Sequence, residues 1–488
     1  MVFSSEVFLF LFLPIVLVGH WLAGRRLRNI FLLLASLFFY AWGETHYVVT
    51  MLVIIILNYL FGMILDSSFL NRASSKNVQF KRKISLVIML VINLLPLIYY
   101  KYSVFLSENF YRIFNIENTD FDPTSGPHLP IGISFFTFQA MSYLIDIYRK
   151  ENEAQRSIFS VGLYISLFPQ LIAGPIVRYS TVAKQLKHRI QTIELFSSGV
   201  ERFVYGLGKK VLIANPLGYI ADSVFSLPSA ELTFMTVWLG IVCYALQIYF
   251  DFSGYSDMAI GLGRMLGFRF LENFNYPYIS TSIREFWQRW HISLSSWFRD
   301  YLYIPLGGNR NGPWRTVRNL FLVFIICGLW HGASWNFVIW GLLHGSFLAL
   351  ERGRFGSMLN SLPKAIQHSY VLLVVLITWV FFRAENLEIS LNYLATMFSF
   401  PENFSINALI AIKLETEFYF TLLIAIIISV PIFRKLQEKS QQVLSGKNNQ
   451  ALTLGAKVIH LISLAGIFTL VCMEIANGSY NPFIYFRF

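Results

Sequence analysis

Residues 319–350 read NLFLVFIICGLWHGASWNFVIWGLLHGSFLAL, and none of these 32 positions is Asp, Glu, Lys or Arg. A straight helix of that length would measure ~48 Å, well beyond the ~30 Å hydrocarbon core of a bilayer. An uncharged run this long needs lipid as its solvent, and there it has to tilt, break or re-enter. Gly328 and Gly332 bracket His331, as expected where backbone bends or admits a ligand closely.

The rest of the chain shares that solvent. Of 488 residues 55% are hydrophobic and 14% charged, and 47 Phe join 25 Tyr and 11 Trp, a load that suits lipid-facing helices and interfacial aromatic belts. Runs at 8–22, 30–42, 47–65, 84–100, 131–148, 233–250, 370–382, 418–433 and 459–473 are each long enough to cross, or nearly cross. No repeat of 20–50 residues and no soluble domain is visible, so residues 1–488 are expected to form a single transmembrane domain.

The net charge of +12 could point to nucleic acid in a soluble protein, but here the cations fall between apolar runs and set topology. Arg25, Arg26 and Arg28 share a side with Arg72, Lys76, Lys81, Arg82 and Lys83, and that side is cytoplasmic by the positive-inside rule. The first apolar run is a helix rather than a cleaved signal, the N-terminus lies outside, and alternation holds to Arg149 and Lys150. If residues 161–171 crossed, Arg178, Lys184, Lys187 and Arg189 would face outward, so a re-entrant or interfacial segment is expected there. The basic stretch 434–457 is cytoplasmic, which puts Asn481–Phe488 outside.

Cys243, Cys327 and Cys472 each sit in an apolar run and offer neither a disulfide framework nor a zinc site. Asp251 and Asp257, at the end of a span, fit no metal loop and read as members of a structural network. Gly261, Gly263 and Gly267 follow no strand and make no dinucleotide fingerprint. No resident cofactor or metal is expected.

Histidine inside lipid is costly unless it meets a polar cavity or a helix-packing partner, so His331 is either functional or an interhelical hydrogen-bonding group. The glycines and Trp330 beside it favour function, whereas His344, between Gly341 and Gly345, reads as structural. Between 284 and 302, Trp287, Trp290, His291, Leu294, Trp297, Phe298 and Tyr301 recur at helical spacing with Arg284, Glu285, Arg289, Arg299 and Asp300 on the rest. This is an interfacial amphipathic helix or one dipping into a cavity with His291 near reacting atoms.

At these residues the chain resembles the membrane-bound O-acyltransferases, in the bacterial branch that serves alginate O-acetylation and D-alanylation of teichoic acids. The resemblance runs the whole length, through Met1-Val-Phe-Ser-Ser, Pro130-Ile-Gly-Ile-Ser-Phe, Ala173-Gly-Pro-Ile, the Asp251 to Gly263 stretch, Phe286-Trp to Asp300-Tyr-Leu-Tyr-Ile, Leu306-Gly-Gly-Asn-Arg and Gly328-Leu-Trp-His-Gly-Ala. It implies an all-α polytopic membrane protein of about ten to twelve transmembrane helices with re-entrant or interfacial helices, a funnel around a buried histidine. It implies that His331 is catalytic and His291 its polar companion. The C-terminal Phe483-Ile-Tyr-Phe-Arg-Phe488 resembles a short motif in which a tyrosine carries the acyl group outward, which would make Tyr485 an acyl relay; it is otherwise an interfacial aromatic anchor.

The expected reaction moves an acyl group, acetyl, from a cytoplasmic thioester such as acetyl-CoA to a hydroxyl deprotonated by His331, towards an extracytoplasmic polysaccharide such as alginate. An extracytoplasmic acetyltransferase partner is implied, the surroundings are membrane lipids of a bacterial inner membrane, and no nucleic acid is involved. A polysaccharide or lipid transporter and a scaffold for an extracytoplasmic enzyme are the rival readings; neither requires the Trp-His-Gly constellation.

Overall fold

The computed structural model describes residues 1–66, 76–115, 126–399, 414–432, 436, 450–478 and 480–482, and these residues contain helices and no strand. Five helices are long and apolar enough to cross a membrane: Val48–Asp66, Gln79–Phe114, Phe234–Met265, Lys364–Arg383 and Leu454–Ala476. Val7–Leu22 and Thr416–Ile428 are shorter apolar helices. The protein is an all-α polytopic membrane protein. Its residues pack as two compact units, 1–200 with 259–271, and 201–258 with 272–488.

The first unit opens with α1, Val7–Leu22, which packs on α2, Gly24–Gly43, so closely that a Cβ at Gly19 would lie 2.3 Å from the Phe31 ring. Helix α3, Val48–Asp66, and α4, Gln79–Phe114, are pinned by a buried amide pair, Asn58 Nδ2 donating to Asn93 Oδ1 at 2.7 Å. In lipid a lone amide would be costly, and the pairing removes that cost. Helix α5, Ile133–Tyr148, is the core of this unit, buried over nearly all of its length.

The run near 161–171 is not one long helix. It folds as α6, Ile158–Ser166, followed by a single turn Phe168–Leu171, and nine residues span only ~14 Å. After α7, Tyr179–Lys187, Arg189 Nη2 donates to Asn29 Oδ1 at 2.7 Å, so the cations at 184–189 share a side with Arg25–Arg28.

In the second unit, residues 201–225 run as one helix through a wide turn at Lys209–Ala214 into α8, Asn215–Phe225. Helix α9, Phe234–Met265, continues past the expected end of its span, so Asp251 and Asp257 are interior rather than terminal. They are tolerated there because Lys210 Nζ meets Asp251 Oδ1 at 2.8 Å, while Lys209 Nζ and Arg202 Nη2 meet Asp257 at 2.6 Å each. Buried charges persist when paired. The glycines between 254 and 263 serve packing: a Cβ at Gly254 would lie 2.7 Å from the Gly206 carbonyl oxygen.

The uncharged run breaks once. Helix α10, Pro313–His331, ends at Gly332, and α11, Trp335–Glu351, returns beside it. A Cβ at Gly328 would lie 2.1 Å from Phe337 O, and one at Gly341 would lie 2.2 Å from Phe324 O, so the two backbones touch. Small residues permit such contact between apolar helices. Helix α12, Lys364–Arg383, packs against α11.

Candidate functional site

His331 occupies the last helical position of α10, at the tip of the hairpin, and is 6% exposed. Its ring meets Trp330 at 4.9 Å, Trp340 of α11 at 5.2 Å and Phe382 of α12 at 5.0 Å, each near edge-to-face. Three aromatic rings leave the imidazole little freedom to rotate. The glycines around it set the hairpin: Gly328 lets α11 approach, and a Cβ at Gly332 would strike the Phe337 ring at 2.1 Å.

The expected continuous helix over 284–302 is corrected. Ile283–Arg289 and Ile292–Phe298 are separate short helices, and His291 between them has φ +42°, left-handed backbone that a non-glycine residue adopts only when its surroundings require it. The cause is Asn273. Its Oδ1 accepts from Ser293 N at 3.1 Å and Ser293 Oγ at 2.9 Å, and its Nδ2 donates to Ser256 Oγ at 3.0 Å on α9.

This arrangement fixes the tautomer of His291. A backbone N–H can only donate, so the Asn273 atom facing it is the oxygen, and His291 Nδ1, 3.1 Å from that oxygen, must carry a proton. In the neutral ring Nε2 is therefore a lone pair. It is enclosed, and it has no hydrogen-bond partner among the described residues. Phe252, from the Asp251–Asp257 stretch, packs edge-on against the ring at 4.6 Å.

Trp330 lies against both imidazoles, 4.9 Å from His331 and 6.3 Å from His291, so the structure brings the two predicted histidines to one aromatic cluster. His344 belongs to its supporting wall: Trp287 Nε1 donates to His344 Nδ1 at 3.2 Å, and Trp340 lies 4.8 Å from the His344 ring. Tyr485 lies outside the described residues. Nearby in sequence, Lys210 Nζ donates to the Pro482 carbonyl and Tyr480 to Asp222, which also pairs with Arg383.

Sequence reasoning missed Asn273, Trp340 and Phe382. Asn273 stands in an irregular stretch 18 residues before its partner, and neither spacing nor periodicity marks it.

Chemically, a neutral imidazole with Nδ1–H committed to an amide oxygen accepts a proton at Nε2 and, while neutral, cannot donate to an oxyanion from that atom. The cluster is thus equipped for general-base chemistry on a hydroxyl in a site walled by aromatic rings.

The profile described as "MBOAT, membrane-bound O-acyltransferase family" matches residues 34–393. A probable alginate O-acetylase of Azotobacter vinelandii is 39% identical, covering 100% of each chain. The peptidoglycan O-acetyltransferase of Helicobacter pylori is 37% identical, covering 81% of this chain and 80% of its own. A teichoic acid D-alanyltransferase of Bacillus subtilis is 30% identical over 45% of this chain and 59% of its own.

Proposed function

Because this chain belongs to the membrane-bound O-acyltransferase family and is a membrane O-acyltransferase, we propose that it passes an acetyl group outward for O-acetylation of an extracytoplasmic polysaccharide. The donor is a cytoplasmic thioester, acetyl-CoA, and the polymer is alginate or another exopolysaccharide. Its place is the bacterial inner membrane, with both termini extracytoplasmic and a partner acetyltransferase completing transfer. The observation that carries the reading is the enclosed pair of imidazoles that both lie against Trp330, with the His291 Nε2 lone pair unpartnered among the described residues.

In this reading an acceptor hydroxyl gives its proton to His331, and its oxygen attacks the thioester carbonyl carbon. The C–S bond breaks, and the departing thiolate takes the proton back from the imidazolium, which balances the step. His291, whose neutral ring presents an Nε2 lone pair, is the polar companion: it leaves the hydroxyl's proton to His331 and favours the positive charge that His331 gains. Tyr485 is the relay whose phenol first takes the acetyl group, before the partner passes it to the polymer. Aromatic walls exclude water that would otherwise hydrolyse the thioester.

The test is acetyl transfer from radiolabelled acetyl-CoA by the full chain in liposomes, beside His331→Ala, His291→Ala and Tyr485→Phe. Label is expected on the intact chain and on none of the variants, with His331→Ala slowed by about 10²–10⁴-fold. Label retained on Tyr485→Phe moves the relay elsewhere. Undiminished turnover by both histidine variants would sink the reading in favour of a scaffold, and flux without acyl transfer would favour a transporter.

A further inference from the structure

A second polar cluster lies in the first unit, built from residues to which the acyl-transfer reading gives no role. It joins His20 near the end of α1, Arg28 and Asn29 in the opening turns of α2, and Arg189 and Gln191 after α7. Arg28 Nη1 donates to Gln191 Oε1 at 2.5 Å. A guanidinium nitrogen can only donate, so the Gln191 amide is oriented with Nε2 towards His20 Nδ1, 3.4 Å away. His20 Nδ1 is then the acceptor, and the proton of the neutral ring sits on Nε2.

Arg189 Nη2 donates to Asn29 Oδ1 at 2.7 Å, and Asn29 Nδ2 donates to Leu186 O at 2.9 Å, closing the network. The Arg189 guanidinium also lies 4.4 Å over the Phe268 ring. Gly267, at φ +83°, presses on the same loop, since a Cβ there would lie 2.8 Å from Gln191 Cγ. The cluster is therefore held from several sides.

Three of its nitrogens are enclosed and have no hydrogen-bond partner among the described residues: His20 Nε2, Arg28 Nε and Arg189 Nη1. By the assignment above all three are donors. His20 is only 3% exposed, and among the described residues neither arginine has a carboxylate within ion-pair distance. Burial, followed by the neighbouring Arg28 cation, pulls Arg189 down to about 10. Enclosed donors left unmade are costly, and two adjacent cations without a counter-charge are costlier. Water could satisfy the donors but not the charge.

We infer that His20, Arg28 and Arg189 form a binding site for a phosphate group, carried either by an anionic lipid headgroup or by a soluble phosphate. A tetrahedral anion offers several acceptor oxygens to donors arriving from three side chains, and arginine forks match that geometry. The exposed Trp21 and Leu22 and the exposed Arg25 and Arg26 border the cluster in sequence, the mixture expected at a membrane–water boundary, where both sources are within reach.

The test uses the delipidated full chain in neutral detergent, with thermal unfolding followed by tryptophan fluorescence. One arm titrates inorganic phosphate against chloride at constant ionic strength. The other adds phosphatidylglycerol or, as control, diacylglycerol, which lacks the phosphate. A saturable rise in Tm is expected in at least one arm, from mass action on the folded state. A rise with phosphatidylglycerol alone identifies a headgroup, and a rise with inorganic phosphate identifies a soluble source. Arg28→Gln and Arg189→Gln should each raise the midpoint about tenfold or more, while the exposed pair Arg25→Gln with Arg26→Gln keeps it. No saturable rise in either arm of the unmodified chain overturns the inference, even if a variant fails to fold; so does a response that survives both substitutions.

Discussion

Both candidate catalytic histidines stand where a helix breaks, but the two breaks are made by different forces. At His331 the backbone itself sets the break: Gly328 and Gly341 bring α10 and α11 into contact, and the chain leaves α10 at Gly332, where a Cβ would meet the Phe337 ring. At His291 a side chain does it: the Asn273 oxygen takes the Ser293 amide and hydroxyl and leaves His291 in left-handed backbone. One break is a packing feature with a histidine at its tip. The other is a polar clamp that chooses which nitrogen of a histidine is basic. The first should fail as a fold and the second as chemistry.

The largest effect is expected at the packing break. In Gly328→Ala the new methyl carbon would sit 2.1 Å from the Phe337 carbonyl oxygen, backbone against backbone, with no flexible side chain to yield. We expect a loss of ~3 kcal/mol or more, beyond ordinary overpacking, seen as collapsed membrane yield and a lowered Tm. A Gly328→Ala protein with native Tm and activity would show that the hairpin is not held by backbone contact.

At the polar clamp the expected loss is in rate. Asn273→Ala removes the acceptor for His291 Nδ1, so the ring can rotate or place its proton on Nε2, which takes away the lone pair that accompanies His331. We expect kcat about 10²-fold lower with KM for the thioester little changed, and a folded protein by fluorescence size-exclusion chromatography. Because a merely structural asparagine would move Tm and KM as well, the split between kcat and KM decides its role. Asn273→Asp sharpens this. A carboxylate at Nδ1–H favours the imidazolium, which raises the His291 pKa, so its neutral, accepting form is available only at higher pH. The variant should recover part of the lost rate, with the acid limb of its kcat–pH profile displaced to higher pH.

The same contrast explains what could be read from the chain alone. That the run could not be one upright span was legible because its cause is local, glycines beside the histidine in an uncharged run too long for one crossing; the structure chose the break over tilt and re-entry. The positions of the apolar helices, the shortness of the helical stretch near 161–171 and the structural pairing of Asp251 and Asp257 were legible for similar reasons, as charge and apolar length are properties of contiguous sequence. The His291 break was hidden because aromatic residues at helical spacing continue through it, while the residue that breaks the helix lies 18 positions away in a loop. Arg28 and Arg189, read as topology signals, gained a second meaning only when the fold placed Asn29 and Arg189 2.7 Å apart. Periodicity reports which face is apolar; it carries no information about a side chain that captures a distant backbone amide.

The smallest expected effect tests how much of the clamp is side chain and how much is backbone. Ser293→Ala deletes the hydroxyl that lies 2.9 Å from Asn273 Oδ1 but leaves the Ser293 N–H, 3.1 Å from the same oxygen, and the His291 Nδ1–H in place. Losing one neutral hydrogen bond of three to a single oxygen costs about 1 kcal/mol, and the oxygen stays satisfied by the other two. We therefore expect kcat to fall less than about tenfold, with an unchanged pH profile, because the tautomer of His291 still follows from the backbone donor. A pH profile displaced by Ser293→Ala would mean that the hydroxyl, which also lies 3.5 Å from His291 Nδ1, helps to place the proton. The assignment of Nε2 as the basic atom would then rest on the serine as much as on the asparagine.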